Sequence, residues 1–399
     1  MPREVSSPFT PGQPVSIEFF VGRIEEINRL RRRLISSREG RLQVGFLTGE
    51  RGIGKSSLAA FMRFLSEREL HMLGLHAFLG GVSSLEEMIR RVFDRLLKES
   101  VGTSWYKKIE GFLGKHIRQI GLFGISVEFN PPPEDLKRLS FDFAHVVREL
   151  MRRLGEEKRG IFLALDDING LANSPDFANW LKSFVDEVAT SQKPFPLCLL
   201  LVGLEERRKS LIDLQPSLAR VFDLIEVRAW SDEETKEFFQ KAFTSVGIEV
   251  DKRAMDTMAH FAGGLPVLAH EIGDAAFNLD ADNFIDPTEA LKAVFNAAEI
   301  LGRKYLEPQV VQAIRSPHYR KILRKLVQEP FLGRFQRAEV LNHLSAEEAR
   351  VLDNFLRRMK KLGVIESDPE GKRGAYRFTK DLYYLYFLME AERTKNFRK

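Results

Sequence analysis

Short apolar runs alternate with amphipathic segments through the first 230 residues of the chain. Apolar residues fill the runs 42–48, 73–78, 160–165, 197–202 and 224–227. Between the runs they recur three and four positions apart, as at Ile24, Ile27, Leu30 and Leu34, which is the spacing of one helix face. Buried strands that alternate with helices predict an α/β fold whose parallel sheet is covered on both faces.

The pattern changes twice further along the chain. From residue 231 it is almost entirely helical, which predicts a helical lid domain over 231–300. Helical segments at 318–328, 338–344 and 346–362, then two short strands around the turn-rich residues 367–374, predict a winged-helix domain over 301–399. The expected order is therefore an α/β domain over 1–230, then the lid, then the winged helix.

Two stretches of the first domain interrupt the regular pattern. Residues 101–133 have loose periodicity and end in three prolines, so we expect an insertion, which could form a hairpin. Its apolar residues are either a contact surface for a protein partner or a face packed on its own domain. Residues 1–18 contain four prolines and predict an extended lead-in that lies on the surface of the α/β domain.

Composition narrows the class of protein. A hydrophobic fraction of 44% over 399 residues is enough for a buried core in each domain. The single cysteine, Cys198, excludes an intramolecular disulfide and a multi-cysteine metal site, and it fits a reducing compartment. No apolar segment is long enough for a transmembrane helix or a signal sequence, so we expect a cytoplasmic protein without a membrane partner.

Charge is distributed unevenly along the chain. The total is +5, yet residues 315–399 carry 20 Lys or Arg against 11 Asp or Glu, a net charge of +9, and the preceding residues are slightly acidic. A basic excess confined to the last domain points to a polyanionic partner for that domain.

A phosphate-binding loop lies between the first predicted strand and the helix after it. The sequence there fits the pattern G-x-x-x-x-G-K-[ST], in which glycines let backbone N–H groups turn toward phosphates at a helix N-terminus. Lys55 would contact the β and γ phosphates, and the Ser56 hydroxyl would complete the shell of Mg²⁺. The residues predicted to bind the nucleotide here are Gly49, Glu50, Arg51, Gly52, Ile53, Gly54, Lys55, Ser56 and Ser57.

Two acids come directly after the apolar run at 161–165. Asp166 would hold the magnesium ion through water, and Asp167 could orient or activate the attacking water. Adjacent carboxylates at the end of a strand can also form a solvated turn with a helix cap, but the phosphate loop favours the first interpretation. The sequence thus predicts a Mg²⁺-dependent ATPase, with ATP, ADP and Mg²⁺ as its ligands.

Two further motifs resemble those of AAA+ and STAND ATPases. Phe20-Val21-Gly22-Arg23 resembles their adenine-side box, and Gly263-Gly264-Leu265-Pro266 resembles the Gly-Leu-Pro element of the STAND lid. With the winged helix behind them, the chain most resembles Cdc6/Orc1-type initiators and prokaryotic STAND-like ATPases. The resemblance implies an AAA+/STAND-like P-loop NTPase sheet, with Val21, Arg23 and Pro266 around the adenine.

The resemblance also implies oligomer formation and a departure from fast motors. In the resembling families an arginine near Arg220 reaches the γ-phosphate of a neighbouring subunit, so a homo-oligomer is expected on ATP binding; the alternative is an intramolecular ion pair. The usual sensor residues are missing, with Glu205 and His270 as the nearest substitutes, although His270 could equally be a packed residue. The Asp-Asp pair replaces the usual Asp-Glu, which implies slow hydrolysis or a switch.

Basic side chains lie on the outer face predicted for the third helix of the winged helix and on the wing tip. In helix-turn-helix proteins such side chains fix the protein on DNA through phosphate contacts. We therefore expect an ATP-switched DNA-binding protein; the alternatives are a STAND-type signalling or assembly scaffold whose winged helix contacts protein, and an ATP-binding transcription regulator. The predicted DNA contacts are Arg350, Arg357, Arg358, Lys360, Lys361, Lys372 and Arg373.

Overall fold

The computed structural model describes residues 6–120 and 126–396, which form two compact units. One unit comprises residues 16–228, and the other joins residues 6–15 to residues 229–396. Among the helices of these ranges, none combines the length and the apolar character that crossing a membrane requires.

The first unit alternates strands and helices, as the apolar runs predict. Its elements are α1 (Ile24–Arg38), β1 (Gln43–Thr48), α2 (Lys55–Leu70), β2 (Leu73–Phe78), α3 (Leu85–Ser100), α4 (Tyr106–Leu113), β3 (Ile117–Ile120), β4 (Ser126–Phe129), α5 (Pro133–Phe141), α6 (Phe143–Leu154), β5 (Ile161–Asp166), α7 (Pro175–Thr190), β6 (Leu197–Val202), α8 (Glu205–Leu214) and β7 (Asp223–Glu226).

Five of these strands form one parallel sheet in the order β2-β5-β6-β1-β7. The central strands β5 and β6 are buried along their whole length, because helices cover both faces. The α/β fold with a parallel sheet is thus confirmed. All five strands run the same way, so β1, β5 and β6 end at one edge, where parallel α/β proteins bind their ligands.

The insertion forms a helix and a hairpin. Strands β3 and β4 pair antiparallel, which confirms the hairpin. Val127 and Phe129 on β4 are buried in the core of this unit and pack toward α3, so these apolar residues cover their own unit. The middle of the insertion, 121–125, lies outside the described residues, and a partner surface there stays a prediction.

The second unit is mainly helical, and its last part has the element order of a winged helix. Its elements are α9 (Asp232–Ser245), β8 (Glu249–Val250), α10 (Lys252–Ala262), α11 (Pro266–Leu279), β9 (Phe284–Ile285), α12 (Pro287–Leu301), a π-helical segment (Gly302–Val311), α13 (Pro317–Leu326), β10 (Arg334–Gln336), α14 (Arg337–Asn342), α15 (Ala346–Lys361), β11 (Ile365–Ser367), β12 (Ala375–Phe378) and α16 (Asp381–Asn396).

The winged-helix part combines α13, α14 and α15 with a small antiparallel sheet in the order β10-β12-β11. Leu352, Phe355 and Met359 bury one face of α15, as their helical spacing predicts. The Ser345 hydroxyl accepts a hydrogen bond from the backbone N–H of Glu348, whose carboxylate accepts one from the Ser345 N–H, so the predicted capping box starts this helix. Strand β10 was not predicted, since three residues are too few to show a period.

The N-terminal segment differs from its prediction. Instead of lying on the surface, Phe9 is buried with its ring 4.9 Å from that of Phe243 and 5.7 Å from that of Phe238. The next residue, Thr10, donates its backbone N–H to Nδ1 of His270 at 3.0 Å. One aromatic ring is enough to fasten an otherwise proline-rich segment, because burying it removes a large apolar area from water.

Candidate functional site

The phosphate loop lies at the edge of the sheet where β1 ends and α2 begins. Gly49, Gly52 and Gly54 have φ angles of 148°, 76° and 96°, which residues with a side chain rarely adopt. At Gly49 a Cβ atom would also lie 2.7 Å from the backbone oxygen of Val227. The glycines of the motif are therefore required by backbone geometry, and they bring the loop to the N-terminus of a 16-residue helix.

Lys55 folds back over this loop. Its Nζ donates to the backbone oxygens of Gly49 at 2.9 Å and Glu50 at 2.7 Å. Burial lowers the pKa of Lys55, and the Asp166 carboxylate opposes that effect. The interaction between the two charges means that the ends of β1 and β5 meet at one site, as the motif predicts.

Asp166 is a buried carboxylate at the end of β5. Its Oδ2 lies 2.8 Å from Nε2 of His76 on the neighbouring strand β2, and its backbone oxygen accepts a hydrogen bond from Leu79. Among the hydrogen bonds of the described ranges, Oδ1 of Asp166 takes no protein donor. One carboxylate oxygen is therefore held by protein and the other is left for a further ligand.

Asp167 adopts an unusual backbone conformation with a φ angle of 59°. Its Oδ1 accepts a hydrogen bond from the side-chain amide of Asn169. A Cβ atom on Gly80 would lie 3.2 Å from Oδ2 of Asp167, so glycine leaves room for this carboxylate. Left-handed backbone at a non-glycine residue is costly and is concentrated at functional sites.

The donor set fits magnesium. Mg²⁺ prefers hard oxygen ligands and is usually held by one or two protein groups plus phosphate oxygens and water. The Ser56 hydroxyl in the first turn of α2 and the Asp166 carboxylate are such groups. Because the site also contains a lysine and a row of backbone N–H groups, it is suited to a phosphate chain with its counter-ion.

The adenine-side box is tied to the phosphate loop through Arg23. Its guanidinium donates to the backbone oxygen of Ile53 at 2.9 Å and also to the backbone oxygen of Arg228. Val21 beside it is buried, and Arg23 itself has a φ angle of 64°. Arg23 thus fastens the box to the loop.

Pro266 lies in the other compact unit, where it is the first residue of α11. A Cβ atom on Gly264 would lie 2.3 Å from the backbone oxygen of Trp230, so the glycine allows a close approach of two backbones. The contact of Pro266 with adenine stays a prediction.

The remaining candidates differ in their surroundings. Arg220 is exposed at the end of a short 3₁₀ helix, and within the described ranges it forms no ion pair. The carboxylate of Glu205 is held by both sides of the Arg208 guanidinium. His270 is buried, and its Nδ1 accepts the Thr10 N–H, so His270 is a packed residue.

The predicted DNA-contacting residues lie on the surface of the winged-helix part, where all are exposed except the half-buried Arg358. Lys360 donates to the Ser367 hydroxyl at 2.9 Å and lies over the Tyr376 ring. Other basic residues of this region are neutralised, as Arg337 is by Asp353. In contrast, no acid of the described chain pairs with Arg350, Arg357, Arg358, Lys361, Lys372 or Arg373.

Sequence reasoning missed His76 and the backbone oxygen of Arg228. A signal for His76 was present, because it is the one polar residue in the run Leu73–Phe78, which pairs along its whole length with β5. A polar side chain in a strand that is buried on both faces needs a buried partner. The Arg228 oxygen gives no signal, since any residue offers a backbone carbonyl.

The chain is similar in sequence and fold to known ATPases. Residues 20–212 match the family model of the AAA ATPase domain. The Walker-type ATPase of Pyrococcus abyssi superposes with a TM-score of 0.56 at 19% identity, over 92% of this chain and 96% of its own. The Aeropyrum pernix ORC2 protein, solved in ADPNP–ADP complexes, superposes with a TM-score of 0.58 at 14% identity, over 98% of this chain and 97% of its own.

No curated protein matches the sequence. At these low identities the two structures establish the fold, and the family match adds the ATPase domain to it. Residues 20–212 therefore form an AAA ATPase domain, and the chain is a nucleotide-dependent P-loop ATPase of the AAA+ class with the fold of Cdc6/Orc1-like proteins.

Proposed function

We propose that this ATPase is a nucleotide-dependent switch that binds Mg²⁺ with ATP, hydrolyses it slowly and binds DNA through its winged-helix part. The observation that carries the nucleotide half is the meeting of Lys55 with the buried Asp166 at the end of the sheet. The observation that carries the DNA half is the set of exposed basic side chains without acidic partners on the winged-helix part.

In the proposed site the chain's own residues bind and orient the phosphates. The loop N–H groups and Lys55 bind the β and γ phosphates, and Ser56 and Asp166 hold the magnesium ion, Asp166 through water. Bound magnesium would neutralise phosphate charge that develops during the reaction. Asp167 accepts the proton of the attacking water or orients it.

Slow hydrolysis is expected because several accelerating groups are absent. Asp167 has a shorter side chain than the glutamate of fast motors, and the strand end at 201–204 offers no polar sensor. Arg220 would supply positive charge only when a second subunit is present, as an arginine finger does. Its exposure and its lack of an ion pair within the described chain support this role over the intramolecular alternative.

Asp167→Asn tests the hydrolytic step separately from binding. Loss of the general base costs about 10²- to 10⁴-fold in turnover, whereas an amide of equal size leaves ATP affinity nearly unchanged. Turnover is measured by phosphate release and affinity with a fluorescent ATP analogue. Unchanged turnover would remove Asp167 from the mechanism.

Mixing two inactive variants tests Arg220. Lys55→Ala lacks the phosphate contact but keeps Arg220, and Arg220→Ala lacks the finger but keeps the phosphate loop. If Arg220 acts on a neighbouring subunit, a mixture of the two regains hydrolysis that neither has alone. No recovery in the mixture would contradict a role in trans.

Salt dependence of DNA binding tests the winged-helix half. A protein that neutralises phosphates releases counter-ions, so its affinity falls with salt at a slope of about 0.9 per phosphate contact. Full-length Arg357→Gln/Lys361→Gln should bind more weakly and lower that slope by about two. The matched control is Lys193→Gln/Lys209→Gln, which removes the same charge from exposed positions of the other unit.

Equal effects of the two double variants would mean that overall charge, and not this surface, governs binding. No DNA binding by the full chain at low salt, with or without nucleotide, would favour the alternative of a signalling or assembly scaffold whose winged helix contacts protein. The cytoplasmic location and the homo-oligomer are part of the same proposal, and size measurements with ADP and with an ATP analogue test the second.

A further inference from the structure

His76 and Asp166 form a buried pair between two neighbouring strands. Their side chains are only 3% and 5% exposed, and Nε2 of His76 lies 2.8 Å from Oδ2 of Asp166. His76 is in register with Ala164, so Asp166 is two residues further along β5 on the same face of the sheet. The contact follows from the strand pairing and does not depend on a loop.

The direction of this hydrogen bond follows from the chemistry of the two groups. An ionised carboxylate only accepts hydrogen bonds, so Nε2 of His76 carries the proton and donates it. The ring of Phe78 stacks on the imidazole with 4.4 Å between the centroids. Leu79, the residue after β2, donates its backbone N–H to the Asp166 oxygen at 2.7 Å. Strand β2 and the residue after it thus hold both the side chain and the backbone of Asp166.

This arrangement leaves one defined oxygen of Asp166 for other ligands. Because His76 occupies Oδ2, the carboxylate cannot rotate without losing a buried hydrogen bond. Groups that fix the orientation of a metal-binding side chain typically change metal affinity or activity by about 10- to 100-fold when they are removed. A buried donor on the neighbouring strand is well placed for such a role.

We propose that His76 is a positioning residue for magnesium, which selects the Asp166 oxygen that faces the ion's shell by holding the other one. This inference rests on the proposed function, in which Asp166 holds Mg²⁺ beside ATP. It adds a residue outside the phosphate loop and the acid pair, and it makes strand β2 part of the magnesium site.

A purely structural role for the pair predicts a different result. If His76 only satisfies a buried carboxylate, its removal lowers the melting temperature and reduces all functions in proportion. If His76 positions Asp166, its removal specifically changes the dependence of nucleotide binding on magnesium. The two roles are therefore separated by binding measurements with and without the metal.

The variants are His76→Leu, which removes the donor, and His76→Gln, whose side-chain amide nitrogen can replace Nε2 as a donor. The control is His116→Leu, because His116 also pairs with a carboxylate, Asp135, at 3.2 Å, but lies in the insertion. Binding of a fluorescent ATP analogue to the full chain is titrated with Mg²⁺ and repeated in EDTA. Melting temperatures are recorded for every variant without nucleotide.

For His76→Leu we expect unchanged binding in EDTA and a Mg²⁺ midpoint raised by about 10- to 100-fold, with His76→Gln and His116→Leu near the wild type. A wild-type midpoint in His76→Leu would overturn the inference. So would equal impairment of His76→Leu and His76→Gln that follows their loss of melting temperature. If wild-type binding does not respond to magnesium at all, the proposed function fails and this inference fails with it; a wild type that responds, with a variant that is unchanged, sinks the inference alone.

Discussion

Phe9→Ala should destabilise the helical unit, although Phe9 lies within ten residues of the first residue of the chain. The Phe9 side chain is 3% exposed and fits against Gly273, where an added Cβ atom would lie 2.3 Å from the ring. It also meets the rings of Phe238 and Phe243. Truncating a buried phenylalanine costs about 3–5 kcal/mol of unfolding free energy. We expect the lower end, about 3 kcal/mol, because a segment near a terminus can detach and let water fill the space.

Trp230 provides the assay. It is buried in the same unit, 5.2 Å from the Phe238 ring, so its fluorescence reports unfolding of that unit once Trp105 and Trp180 are replaced by Phe. A loss of about 3 kcal/mol corresponds to about 6–12 °C in the melting temperature of a domain of this size. Phe141→Ala is the control, since that ring is 74% exposed. If both variants melt alike, Phe9 does not fasten the segment and the reasoning is wrong.

Two further predictions concern buried polar groups of the same unit. Burial lowers the pKa of His270 to about 4; the unfolded chain takes up a proton near pH 6.5, so stability that is fully present above about pH 6.5 should fall by about 3 kcal/mol as the pH drops to about 4. In His270→Asn, whose amide oxygen can still accept the Thr10 N–H, chemical unfolding at each pH should lack this part of the decline; an unchanged decline would contradict the assignment. Lys304→Met leaves the carboxylate of the buried Glu271 without its 2.7 Å partner and should cost about 2 kcal/mol in the same assay, while Glu271→Leu/Lys304→Met should regain stability. Equal stability of the single and double variants would show that the pair carries no such penalty.

Long apolar runs and short motifs were the features that the sequence revealed well. Strands β5 and β6 are buried on both faces, so their sequences are continuously apolar and easily recognised. The phosphate loop could be located because its glycines are required by backbone angles that only glycine adopts readily. Asp166 followed from the same logic, since parallel strands end at one edge of the sheet.

Contacts between distant positions were not predictable from local patterns. His76 and Asp166 are 90 residues apart, and only the strand order makes β2 and β5 neighbours. Phe9 joins a helical unit whose remaining residues begin at Ala229, which proline content at the N-terminus cannot reveal. Both cases involve a single side chain whose partner is chosen by tertiary structure.

Binding of a fluorescent ATP analogue to Lys55→Ala tests the central claim most directly, with Lys193→Ala, an exposed lysine of the same unit, as the matched control. A hydrogen bond to a charged group contributes about 1.5–3 kcal/mol, so removing Lys55 should weaken binding by about 10- to 100-fold. The account predicts that loss for Lys55→Ala and wild-type affinity for Lys193→Ala. Wild-type affinity in Lys55→Ala would contradict it, because the nucleotide would then bind somewhere other than the phosphate loop.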